Sequence, residues 1–111
     1  LLGKPDGEPS AAIRARVVAA RERQLARYAG TGVTCNARLS GKLLRKFCPL
    51  SPQQQDLLTQ AVNQFGLSAR AFDRILRVAR TIADLAAHDT PTADDLLEAI
   101  QFRQFESQLR S

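Results

Sequence analysis

The chain has 111 residues, with 16 Lys and Arg against 11 Asp and Glu, and a formal charge of +5. That length suits one domain, which buries roughly two-thirds of its unfolded surface, and argues against a two-domain enzyme with its own cofactor fold. Hydrophobic residues at 44% exclude a disordered tail, and aromatics at 5%, with no Trp, leave an aliphatic core.

Residues 1–9 read as a linker by composition, Gly3-Lys4-Pro5-Asp6-Gly7-Glu8-Pro9. A first helix is predicted from about Ser10 to Tyr28, with Pro9 and Ser10 as start signals. Ile13, Val17 and Ala20 give it one apolar row, Val18 and Leu25 another, and Gly30-Thr31-Gly32 ends it. A second helix is predicted between Leu39 and Cys48, with Leu39, Leu43, Leu44 and Phe47 at helical spacing and Pro49 as its stop. In the third, Ser51 is the N-cap, Pro52 fits the first turn and Gln54 completes a capping box. Its stripe is Leu57, Leu58, Ala61, Val62 and Phe65, and Gly66 suits the left-handed position past its end.

Ser68 caps a fourth helix, the most strongly patterned segment. Phe72, Ile75, Leu76, Ala79, Ile82, Ala83 and Ala86 line one side of it. Thr92 caps a fifth, with Asp95 three residues on and Leu96, Leu97 and Ile100 facing inward; residues 104–111 read as a C-terminal tail. No useful segment alternates with period two, so the expected fold is all-α, a compact bundle of about five helices spanning 10–103.

No apolar run approaches the roughly 20 residues of a membrane span, and no signal peptide opens the chain, so a cytoplasmic protein is expected. The absence of Met suggests a piece of a longer protein. Cys35 and Cys48 are too few and too far apart for a disulfide framework or a metal motif, and reduced thiols are expected. With a single His, no metal site is expected; His88, just past the fourth helix, fits capping or exposure better than catalysis. A nucleophile, base and orienter cannot be assembled, so the piece alone is not expected to be an enzyme. Gly41-Lys42 is a spurious P-loop match, since Leu43 stands where Ser or Thr is required and Asn36 where the upstream Gly is required.

Charge is concentrated. Residues 10–48 carry net +8, whereas 49–111 carry net −2. In the first helix Arg16, Arg23 and Arg27 recur at i, i+7 and i+11, and Arg14 and Arg21 are seven apart, so this basic face suits an acidic partner surface or a polyanion such as DNA phosphates. In the fourth, Arg70, Arg74 and Arg77 share a face opposite the apolar stripe. Arg70 is notable because the first turn of a helix is already electropositive, a cost that an incoming anion would offset. A guanidinium there suits a phosphate. Arg77 and Arg80 read instead as a solvated face, paired at i, i+4 as Asp73–Arg77 and Arg80–Asp84.

Ile13-Arg14-Ala15-Arg16-Val17, with Ala20-Arg21-Glu22-Arg23-Gln24, resembles the IRxRVxxARxxQ signature of the magnesium-chelatase-like AAA+ family, the YifB/ComM group. Asn36-Ala37 with Leu39, the segment Leu67–Leu85 and Glu98-Ala99-Ile100-Gln101-Phe102-Arg103 are similar to that family's later blocks, so the resemblance runs from Glu8 to Arg103. It implies the C-terminal helical lid of an AAA+ ATPase module, with Walker A and B motifs upstream in the chain. ATP and Mg2+ would be held there, in a homo-hexameric ring linked to DNA handling, notably natural transformation and branch migration. Arg70 would be the sensor-2 arginine approaching the γ-phosphate of ATP, with Arg74 as a second candidate. Phe72 stands where the family often has Tyr. Arg14, Arg16, Arg21, Arg23, Gln24 and Arg27 would contact the upstream core domain or a neighbouring subunit. The alternative is a stand-alone basic bundle, with Leu57 to Arg80 as a helix-turn-helix that places Arg70, Arg74 and Arg77 in the major groove. Few aromatics near the basic face count against single-strand stacking.

Overall fold

A computed structural model describes residues 9–110. It contains five α-helices, α1 (Ser10–Arg27), α2 (Gly41–Phe47), α3 (Pro52–Phe65), α4 (Ala69–Leu85) and α5 (Ala93–Arg110), with a 3-10 turn at Asn36–Arg38 and no strand among the described residues. The expected all-α bundle is therefore the observed fold. Most of the residues read as a linker, 1–8, lie outside the described residues, as does Ser111 of the C-terminal segment.

Local capping chemistry sets the central elements. Ser51 accepts from the Gln54 N–H at 3.2 Å while the Gln54 side chain accepts from the Ser51 N–H at 2.9 Å, and Pro52 opens α3. Gly66 takes the left-handed conformation at φ 62° that stops α3. Ser68 then starts α4 by accepting from the Ala71 N–H. The far end of α4 closes as a Schellman motif: the His88 N–H donates to the Ala83 carbonyl at 2.8 Å and the Ala87 N–H to that of Asp84 at 3.2 Å. The residue in the left-handed position there is Ala87, φ 63°, where glycine is the usual occupant.

The core is one aliphatic cluster. Leu39, Leu44, Leu58, Ile75, Leu76, Ala79, Leu96, Ala99 and Ile100 are buried in it, with the Tyr28 ring edge-on to Phe47 at 5.1 Å. α4 runs through the middle and packs on α5, α1 and α2. Several apolar positions differ from expectation: Phe65, Leu97 and Ala86 lie exposed, as do Ile13, Val17, Val18 and Leu25 of α1. Leu97 falls on the outer side of α5, because Leu96 and Ile100 already fill the space against α3 and α4. The helix α5 also continues through residues 104–110, where the sequence suggested a tail. The first turns of α1 and the last turns of α5 project, leaving Ile13, Phe105 and Leu109 exposed. The radius of gyration, 15.1 Å, accordingly exceeds the roughly 13 Å of an evenly compact domain of this size.

Candidate functional site

The first turn of α4 presents Arg70. Ser68 fixes where this helix begins, and Arg70 follows as its second residue, exposed and with no hydrogen bond or ion pair among the described residues. The arginines sharing its face are committed elsewhere. Arg74 donates to the Glu106 carboxylate of α5 at 2.7 Å, and Arg77 to the Leu39 carbonyl at 3.1 Å. The expected Asp73–Arg77 pair is absent, because that carbonyl takes the guanidinium instead. A cleft of about 660 Å3 opens between α2, α3 and the start of α4, lined by Arg45, Gln55, Ser68 and Asp73 and by the apolar Leu50, Val62, Phe72 and Leu76; Arg70 is not part of its lining.

The opposite end of α4 holds a polar cluster whose burial differs from the solvated face expected there. Arg80 and Asp84 are paired, as expected from their spacing, at 2.9 Å; the side chains are 1% and 0% exposed, so this is an interior pair and not a solvated face. Arg27 reaches across from α1 and grips both Asp84 oxygens, at 2.5 and 3.0 Å. The Asn36 amide donates to the same carboxylate and to the Thr81 hydroxyl, each at 2.9 Å, and the Tyr28 hydroxyl donates to the Asn36 side-chain oxygen. Arg80 also donates to the carbonyls of Phe47, His88 and Asp89, which ties the α4–α5 connection and the end of α2 to one guanidinium.

Burial alone would raise the Asp84 pKa. Hydrogen bonds from Arg27 and Asn36 and the Arg80 charge outweigh it, so the carboxyl sits below the usual aspartate range. Near it, burial pushes the Tyr28 hydroxyl up and the Cys48 thiol up to about 11. The sequence carried a signal for this cluster: Arg80 and Asp84 border Leu76 and Ala83 on the helix surface, so their side of α4 adjoins the core stripe.

Of the six candidate contact residues in α1, Arg14, Arg16, Arg21 and Arg23 lie exposed. Three of the six, Arg23, Gln24 and Arg27, bond to the body of the domain. Gln24 is buried and accepts from the Asn36 N–H at 3.4 Å, Arg23 donates to the Asp84 carbonyl at 3.0 Å, and Arg27 belongs to the carboxylate cluster. His88 places Nδ1 2.9 Å from Asp95, whose carboxylate also accepts from the Thr92 N–H in the α5 capping box. For Asp95 too, burial acts to raise the pKa, and the bonds from Thr92 and His88 more than reverse it. Cys35 and Cys48 are both free thiols. No group of three or more His, Cys, Asp and Glu among the described residues could hold a metal ion. No helix among them is long and apolar enough to cross a membrane.

The family model described as magnesium chelatase, subunit ChlI C-terminal, matches residues 7–103. Similar proteins include YifB of Salmonella typhimurium, 41% identical over 97 residues, which are 87% of this chain and 18% of that protein. An uncharacterized protein of Mycobacterium tuberculosis is 44% identical over 100 residues, 89% of this chain and 20% of its own length. Competence protein ComM of Haemophilus influenzae is 41% identical over 97 residues, 87% of this chain and 18% of its length. The chain thus spans about a fifth of these relatives.

Proposed function

Since the chain belongs to the magnesium chelatase subunit ChlI C-terminal family, we propose that it is the helical lid of an AAA+ ATPase and senses ATP through Arg70. The observation that carries this is the contrast along one face of α4. Arg74 and Arg77 are bonded inside the domain, while Arg70 is exposed and unpartnered at the electropositive helix end. A cation kept there against the helix dipole gains a counter-charge when a phosphate arrives. Arg74 is not favoured as a second phosphate contact, because Glu106 already holds it.

The residues present fit one end of an ATP site only. Lys42 is exposed on the first turn of α2 and does not belong to a strand–loop–helix phosphate cradle, and no carboxylate group suited to a metal ion occurs among the described residues. ATP and Mg2+ would be held by an upstream core domain, which supplies the phosphoryl-transfer chemistry. The part left to this chain is positioning. A guanidinium directed at the terminal phosphate stabilises charge on its oxygens, and lid closure then gains binding energy only while that phosphate is in place. The exposed Arg14, Arg16 and Arg21 supply a basic face for the core or a neighbouring subunit of a homo-hexamer. For the whole protein we propose a cytoplasmic role in DNA handling, in natural transformation and branch migration; likeness to a protein named competence protein ComM supports the link to competence.

A stand-alone DNA-binding bundle is less well supported, since two of its three intended groove contacts are already bonded within the domain. The test is ATPase turnover of the full-length ring. Arg70→Ala is expected to lower it by at least about tenfold with the lid still folded by circular dichroism, and Arg70→Lys to restore part of it. Wild-type turnover in Arg70→Ala would remove Arg70 from the mechanism.

A further inference from the structure

We propose that α1 is a releasable arm, which can swing from the α2–α5 body as a unit about Tyr28 without opening the apolar core. The proposal is independent of the nucleotide-sensing role of Arg70.

No side chain of α1 belongs to the core cluster, and only Ala20 and Gln24 of this 18-residue helix are buried. The described bonds from its C-terminal turns to the body are polar and centre on Asp84: Arg27 on the Asp84 carboxylate and Arg23 on the Asp84 carbonyl, with Gln24 accepting from the Asn36 N–H at the long distance of 3.4 Å. Ile13, Val17, Val18 and Leu25 bury too little to hold the helix down. Among the described helices, α1 packs mainly on α4.

The wiring of Asp84 makes release feasible. Breaking a buried ion pair is normally prohibitive because it strands a charge. Here Arg80, on the same helix as Asp84, and Asn36, beyond the pivot, remain bonded to the carboxylate when Arg27 leaves. Arg27 moves into water, and its departure admits water to the carboxylate. Tyr28 stays behind as the pin, with its ring against Phe47 and its hydroxyl on Asn36. It caps α1 at φ −97° and ψ 6°, outside the helical turn, and such an element-terminal residue can absorb the change in direction. The exposed Arg14 and Arg21 can then be presented at more than one angle while α2–α5 stay assembled.

Native-state hydrogen exchange on the 111-residue chain at increasing urea tests this. The amides of residues 20–27 are expected to exchange through an opening that depends weakly on urea, with protection at least about tenfold below that of residues 75–83. Arg27→Met is expected to lower α1 protection by about a further tenfold and leave that of α4 within about threefold. A single urea-dependent opening shared by α1 and α4 in the unmodified chain would overturn the proposal. So would equal losses in both helices, or failure to fold, in Arg27→Met.

Discussion

Replacing Asp84 with Asn removes one charge and leaves two guanidinium groups facing a neutral amide. In the native domain the carboxylate accepts two N–H bonds from Arg27, one from Arg80 and one from Asn36. An amide offers one oxygen for these donors and turns its own NH2 toward a cation. Removing one partner of a buried ion pair costs about 3–5 kcal/mol. If α1 swings out, Arg27 recovers its hydration, whereas Arg80 remains fixed at 1% exposure by three backbone carbonyls. The expected loss is therefore near the lower bound, about 3 kcal/mol, a large part of the ~5–15 kcal/mol that stabilises a typical domain. Urea unfolding followed by circular dichroism at pH 7 measures it, and the midpoint should fall by about 1–3 M. A loss below about 1 kcal/mol would show that the cluster is solvated in solution and refute the reasoning.

Four further outcomes follow from the same geometry. Ala87→Gly should stabilise the domain by about 0.5–1 kcal/mol, read as a higher melting temperature, because glycine occupies the left-handed position of the Schellman motif without a Cβ clash; a lower melting temperature would contradict the motif. Ser68→Ala should cost about 1 kcal/mol through loss of the Ala71 N–H partner, measured by the same urea titration. Asp84 and Asp95 have folded pKa values below the ordinary one. Their contribution is present above the unfolded value near ~3.9 and is lost as pH falls through the folded values, so stability should drop steeply in acid, and less steeply in Asp95→Asn. With its thiol pushed up to about 11 and buried, Cys48 should resist alkylation at pH 8 in the native state and react once urea unfolds the chain.

The elements that the sequence disclosed are those specified locally. Ser51-Pro52 with Gln54, Gly66, Ser68 and Thr92 with Asp95 each act within four residues, so their spacing alone predicts where α3, α4 and α5 begin and where α3 ends. The apolar stripe of α4 was equally legible, because this helix meets neighbours along most of its length. Side-chain type misled where tertiary contacts decide. Arg80 and Asp84 look like a surface pair at i, i+4, but the partners that make burial tolerable, Arg27, Asn36 and three carbonyls, come from distant segments. Ile13 and Val17 continue the row that contains Ala20 and Gln24, and helical periodicity cannot show that the body ends before it reaches them. Leu97, one position from the buried Leu96, is exposed because an 18-residue α5 has core on one side only. At the candidate site, the sequence could place Arg70 in the first turn of α4. It could not show that Glu106 and the Leu39 carbonyl hold the arginines beside it.

The most direct test of the account is a structure of the full-length ring loaded with a slowly hydrolysed ATP analogue. The Arg70 guanidinium is expected within hydrogen-bonding distance, about 3 Å, of the terminal phosphate in its own or an adjoining subunit. A guanidinium directed into bulk solvent, with both neighbouring nucleotide sites filled, would contradict it.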